Sequence, residues 1–225
     1  MVQILGNSHL TAYEVVVERL SNGGWIIQLG MQSSLAVSRK VAAIAILSAV
    51  ALSTDYILLP VANVKLMDSI VFLSSLLYGL EVGVPVAAIT WLVYGTLNPL
   101  GADPPGLLIL LILLECLYAV AGALVSKHIK SSSTRTPNLT FGFAGFLCAF
   151  IYDLVTNSYS GLLFYPGSVM WRIIEGNILG IPFSILHEVS DFALFAFVLP
   201  VALRTLRILP QRMDKKHDVK FRIEN

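Results

Sequence analysis

Asp153 and Asn157 stand four residues apart in "IYDLVTNSYSG", residues 151–161, inside an apolar stretch running from Phe141 to Leu163. On a helix that spacing puts a carboxylate and an amide on one face. His187 and Asp191 repeat the interval in "PFSILHEVSDFALF", with Glu188 between them, and Glu115 interrupts an otherwise apolar run from Gly106 to Ser126. These side chains offer hydrogen bonds to a polar ligand, proton exchange, or pairing with one another as structural glue between helices. A charge at mid-bilayer costs about 2.5–3.5 kcal/mol on insertion scales, so such residues face a bundle interior, a partner or a wet cavity.

The composition says which solvent surrounds them. Hydrophobic residues make up 56% of the 225 and charged residues only 13%, against about 25% charged in a usual soluble domain. The chain reads as an all-α integral membrane protein. A net charge of +1 gives no footprint for nucleic acid. Cys116 and Cys148 fall in apolar runs without the spacing of a metal motif, and no G-x-x-x-x-G-K-[ST] loop is present. No cofactor or metal is implied, and any ATP coupling must come from partners. The first long apolar run begins only after Arg39 and Lys40, so the amino-terminal arm is expected to be retained rather than cleaved.

Six apolar spans follow: Val41 to Pro60, Met67 to Leu80, Gly83 to Leu97, Gly106 to Ser126, Phe141 to Ser160, and Ile178 to Leu203. The second and third are short of the ~20 residues a helix needs to cross hydrocarbon, and share a tight "YGLEVGVP" turn. The expected organisation is an amino-terminal arm over 1–37, a six-transmembrane-helix bundle over 38–208 and a basic tail over 209–225. In the arm, "YEVVVERL" and "GWIIQL" flank "SNGG" and predict a hairpin turning at Asn22 and Gly23, with an amphipathic helix from Thr11 to Leu20 as the competing reading.

Charge asymmetry orients the bundle. With six spans, thirteen basic residues fall on the face that carries both termini, and only Lys65 and Arg172 lie opposite. The positive-inside rule then makes the termini cytoplasmic and the chain a multi-pass protein of the cell membrane. The outer face collects Asn63, Lys65 and Asp68, then Asn98 and Asp103, and then Asp153, Asn157, Tyr159, Trp171, Arg172, Glu175 and Asn177, with "YPGSVMWRIIEGN" read as an external loop. Blander roles compete: Tyr159, Tyr165 and Trp171 as an interfacial aromatic belt, and Asp68 as a helix cap.

Span one carries small residues at Ala42, Ala45, Ala49 and Ser53, a stripe that lets another helix approach closely, inside this bundle or on another membrane subunit. With "AILSA" in that span, "LLYGLEVGVPVAAITWLVYGTLNP" in the second and third, "YDLVTN" in the fifth and "PFSILHEVSDFALFAFVLPVALRTL" at the end, residues 38 to 208 resemble the substrate-binding S component of energy-coupling factor (ECF) transporters.

The resemblance implies capture of a vitamin or related micronutrient at the outer face, then docking on a transmembrane coupling subunit driven by two cytoplasmic ATPase subunits. On that reading the substrate contacts are Asn63, Lys65, Asn98, Asp153, Asn157, Tyr159, Trp171, Arg172 and Asn177, between the external loops and the outer halves of spans four to six. The docking stripe is Ala42, Ala45, Ala49 and Ser53. The chain is then no enzyme. The alternative is a proton- or ion-coupled secondary transporter using Glu115, Asp153 and Asp191. A structural subunit, and a hydrolase pairing Ser160 with His187, are the remaining readings.

Overall fold

The computed structural model describes residues 2–8, 11–19, 25–30, 33–128, 139–208 and 220–223, with side chains over 37–126 and 139–205. The chain divides into two compact units, residues 1–42 with 208–225, and residues 43–207. The expected boundaries, 37/38 and 208/209, treated arm and tail separately, whereas both fall in one unit. That unit holds a four-stranded antiparallel sheet in the order β1 (Val2–Ser8), β2 (Thr11–Arg19), β3 (Trp25–Gly30), β4 (Lys220–Ile223). Strands β2 and β3 pair from Arg19 opposite Trp25 to Glu14 opposite Gly30. The anticipated turn at Asn22 and Gly23, and the basic loop with Lys130 and Arg135, lie outside the described residues.

The second unit is helical. Helix α1 (Ser33–Leu58) enters it and is followed by α2 (Met67–Tyr78), α3 (Leu80–Thr96), α4 (Pro105–His128), α5 (Leu139–Phe164), α6 (Val169–Ala193), a π-helical turn at Leu194–Val198 and α7 (Leu199–Ile208). Among the described residues, four stretches are long and apolar enough to cross a membrane: Val37–Leu58, Pro105–Ser126, Leu139–Phe164 and Val169–Thr205. This is a multi-pass helical membrane protein. At 1.5 Å per residue the 12 residues of α2 reach only about 18 Å, well short of the ~30 Å hydrocarbon.

Helix α2 is short but central. Its residues Met67 through Ser75 are all buried, the pattern of a helix surrounded on every side. Phe72 lies edge-on to Phe141 and Phe195, at centroid distances of 6.0 and 5.1 Å. The turn into α3 is tighter than the sequence suggested. Gly79 alone, at φ 81°, separates the two helices, and Pro85 lies inside α3. A positive φ is open to glycine without the Cβ clash other residues meet.

Helix α6 overturns a second expectation. The segment read as an external loop is helical from Val169, leaving only residues 165–168 as connection. Gly167 makes the bend at φ 114°, and the Ser168 hydroxyl caps the new helix by accepting from the Trp171 amide at 3.4 Å. Glycines then bring α5 and α6 together: a Cβ on Gly161 would strike the Arg172 carbonyl, and one on Gly176 the Asn157 carbonyl. Farther along, a Cβ on Gly145 would meet the Phe195 ring at 2.6 Å, so the two helices stay in contact down to the π-helical turn. That turn has a local cause. Pro200 has no N–H for the carbonyl four residues back, and Leu199 N bonds to Leu194 O instead.

Candidate functional site

The α1–α2 connection (residues 59–66) and the α3–α4 connection (97–104) meet at one end of the bundle around a cavity of about 290 Å³. Asn63, Lys65 and Asn98, three of the expected substrate contacts, line it. Asp55, Trp91, Tyr94, Asp103 and Phe183 join them. Asn63 takes a left-handed backbone, φ 57°, and its amide donates to the Phe183 carbonyl at 3.1 Å, tying the first connection to α6. Lys65 folds inward: its ammonium lies 4.1 Å from the Trp91 ring centroid and 5.7 Å from that of Tyr94. A cation over aromatic faces is held electrostatically. Asp103 is half-buried beside it. Burial pushes its carboxyl above the ordinary 3.8, against the opposing pull of the Lys65 ammonium.

Among the described residues, none of α4 or α5 lines this cavity, and α6 contributes Phe183. The cavity thus lies apart from the outer halves of spans four and five, where the sequence reading placed most of the substrate contacts. Asn157 donates to Ser184 Oγ at 2.9 Å, and Asn177 to Ser158 Oγ at 2.8 Å and to the Ile173 carbonyl. Both amides bridge α5 to α6, because a polar group in hydrocarbon finds its partner on the next helix. Tyr159 stands over Gly106 of α4, where an added Cβ would meet its hydroxyl. Trp171 is 57% exposed, and Arg172 Nε is buried without a hydrogen-bond partner among the described residues. Neither reaches the cavity, since both ride on the first turn of α6.

Asp153 also turns away, into a buried cluster. Its two oxygens lie 3.0 and 3.1 Å from His187 Nδ1. On the other side of the imidazole, Nε2 is 3.1 Å from Asp68 Oδ2 and 3.8 Å from Asp191 Oδ2. Asp68 is therefore no helix cap: it sits in the first turn of α2 and reaches a residue 119 positions away. Tyr118 donates to Asp191 Oδ2 at 2.8 Å, and Trp91 Nε1 to Glu115 Oε2 at 3.0 Å. The shared residue is Trp91, whose ring floors the cavity and whose N–H holds the cluster. Both nitrogens of His187 are committed to carboxylates rather than to Ser160, the partner a nucleophile would need within hydrogen-bond reach.

Asp55, Trp91 and Tyr94 were missed from sequence as site residues. Asp55 carried the same signal as Asp153, a lone carboxylate in an apolar span, and here its Oδ1 accepts from the Met67 amide at 3.2 Å. Trp91 and Tyr94 are spaced i, i+3 on α3 and stack one ring on the other's edge, 5.7 Å apart. The docking stripe of α1 stands clear of the bundle: Ala42, Ala45, Ala49 and Ser53 are all exposed. Fold and site together define a multi-pass helical membrane protein with a polar, aromatic-floored cavity at one end and an acidic core beside it. No protein-family model, curated protein or solved structure matches this chain.

Proposed function

We propose that the chain is the membrane-embedded substrate-capture subunit of an ECF-type importer. It binds a vitamin or related micronutrient at the outer face and docks on a transmembrane coupling subunit powered by two separate ATPases. Six spans, cytoplasmic termini and the cytoplasmic membrane belong to this reading. The observation that carries it is the cavity where Asn63, Lys65 and Asn98 converge on Trp91 and Tyr94. At about 290 Å³ it lies at the low end of the ~300–1,000 Å³ of ligand pockets, which favours a small cargo. An aromatic floor under an ammonium suits a planar ligand bearing an acidic group. The exposed small-residue stripe on α1 supplies a face for a second membrane subunit.

The test is native mass spectrometry of the gently purified full chain, first as isolated and then with micronutrients added singly. A bound molecule of vitamin size, lost in Lys65→Ala and Asn98→Ala, supports the capture reading. A folded protein that takes up none of them overturns it. The cluster around His187 favours one second reading, an ion-coupled secondary transporter, since carboxylates at depth serve ion and proton pathways. Substrate uptake into proteoliposomes by the chain alone, driven by an ion gradient, separates that reading from the first.

A further inference from the structure

The buried cluster has a donor geometry that capture at the cavity does not use. Asp153 stands against His187 Nδ1 with both oxygens in reach, which fixes the ring; in the tautomer that carries its hydrogen on Nδ1, Nε2 turns a lone pair toward Asp68 and Asp191. Histidines that bind metals are oriented in this way, by a carboxylate on the far ring nitrogen. In front of Nε2 stand carboxylate oxygens of Asp68 and Asp191, at 3.1 and 3.8 Å. One donor atom from each of the three residues lies within 4.8 Å of the others. Ligands held about 2.1 Å from one ion stand roughly 3.0–3.4 Å apart, so a modest contraction seats a cation among them.

One oxygen calls for a positive charge independently of that geometry. Asp191 Oδ1 belongs to a fully buried residue and has no hydrogen-bond partner among the described residues. A buried carboxylate oxygen with nothing to accept from is costly. Three carboxyls, from Asp68, Asp153 and Asp191, stand around one imidazole, and Glu115 lies beside Asp68. The nearby ammonium of Lys65 is spent on the aromatic floor of the cavity.

From this we infer that Asp68, His187 and Asp191 form a binding site for a first-row divalent transition-metal cation. Asp153 acts as its positioning residue, and Glu115 supplies further neutralising charge. One imidazole nitrogen with carboxylate oxygens suits the series from Mn²⁺ to Zn²⁺, whereas Mg²⁺ and Ca²⁺ favour oxygen alone. Tyr118 donates to Asp191 Oδ2, the oxygen that faces Nε2, and Trp91 to Glu115 Oε2, so both carboxyls are oriented by donors from neighbouring helices. Trp91 links the cavity wall to Glu115, and on that wall the second Asp55 oxygen is buried without a hydrogen-bond partner among the described residues.

The experiment uses the full chain in detergent, stripped with a chelator, then equilibrated with Mn²⁺ alone and with Zn²⁺ as competitor. The expected result is one Mn²⁺ per chain, displaced by Zn²⁺, whose electron spin echo is modulated by a directly bound ¹⁴N. Asp191→Asn and Asp68→Asn should each weaken binding about tenfold or more, and Asp153→Asn by about 10–100-fold with the nitrogen modulation retained. A folded parent that retains neither ion overturns the site, as does bound Mn²⁺ without nitrogen coupling, or unchanged affinity in a folded Asp191→Asn. The parent's own spectrum decides the matter if the variants fail to fold. None of these readouts involves the cavity ligand, so the site stands or falls separately from the capture reading.

Discussion

Asp153 on α5 and His187 on α6 are 34 residues apart in the chain, and both oxygens of the aspartate lie within 3.1 Å of one ring nitrogen of the histidine. That pairing answers why a carboxylate sits in the apolar fifth span. It is the deepest rung of a polar ladder between the two helices, with Asn157 on Ser184 and Ser158 on Asn177 above it. Each rung satisfies groups that lipid cannot.

Asp153→Ala should therefore destabilise the bundle rather than merely empty the cavity. It leaves a buried imidazole without its partner, a loss of about 3–5 kcal/mol for a broken buried pair. Equilibrium unfolding in mixed micelles measures this, and a midpoint equal to the parent's would contradict the pairing. Asp153→Asn keeps one acceptor oxygen for Nδ1 and should fall between the two.

Gly176→Ala tests the close approach of α5 and α6. The added methyl would meet the Asn157 carbonyl and lie 2.7 Å from the Gly161 Cα, backbone atoms that cannot swing aside. Overpacking of this kind costs about 1–3 kcal/mol. Gly79→Ala is the useful contrast, because open space surrounds that position and the positive φ alone opposes the methyl. Unfolding midpoints of the two variants separate collision from backbone strain.

Apolar length made the long helices legible, and His187 with Asp191 stood out as polar groups in oil. Three things did not show. The first turns of α6 carry Arg172, Glu175 and Asn177, a polarity that imitates a loop, and only the Ser168 cap gave a local sign of a helix start. The partner of Asp153 was hidden because helical periodicity ranks faces but does not say which face meets which. Strand β4 pairs with β3 from the opposite end of the chain, and four residues hold too little pattern to announce it.

Asp103 gives a pH dependence whose sign can be worked out. Burial raises its carboxyl above 3.8 in the folded protein, so folding favours the protonated form. Its contribution is fully present below 3.8 and is lost as pH rises through the raised folded value. Asp103→Asn should consequently make the bundle more stable near neutral pH and flatten this part of the pH profile. Since the Lys65 ammonium pulls the other way, Lys65→Ala should move the carboxyl higher still. Carbon-13 NMR of labelled aspartate follows both, and a titration lowered by Lys65→Ala would be the wrong sign.

Ala49→Leu separates internal packing from docking. Ala45, Ala49 and Ser53 form an exposed strip on α1, flanked by exposed Ile46 and Val50, and only 17% of this helix's apolar window is buried. Ala49 is exposed among the described residues, so a larger side chain there should change stability by no more than about 0.5 kcal/mol. A partner helix seated on a smooth strip would be pushed away by the new branch. Co-purification of ATPase-bearing subunits from native membranes should drop together with uptake, while ligand binding to the isolated chain is unchanged. If the variant unfolds more readily, the strip serves the bundle's own packing; if uptake persists with a stable bundle, docking uses another face.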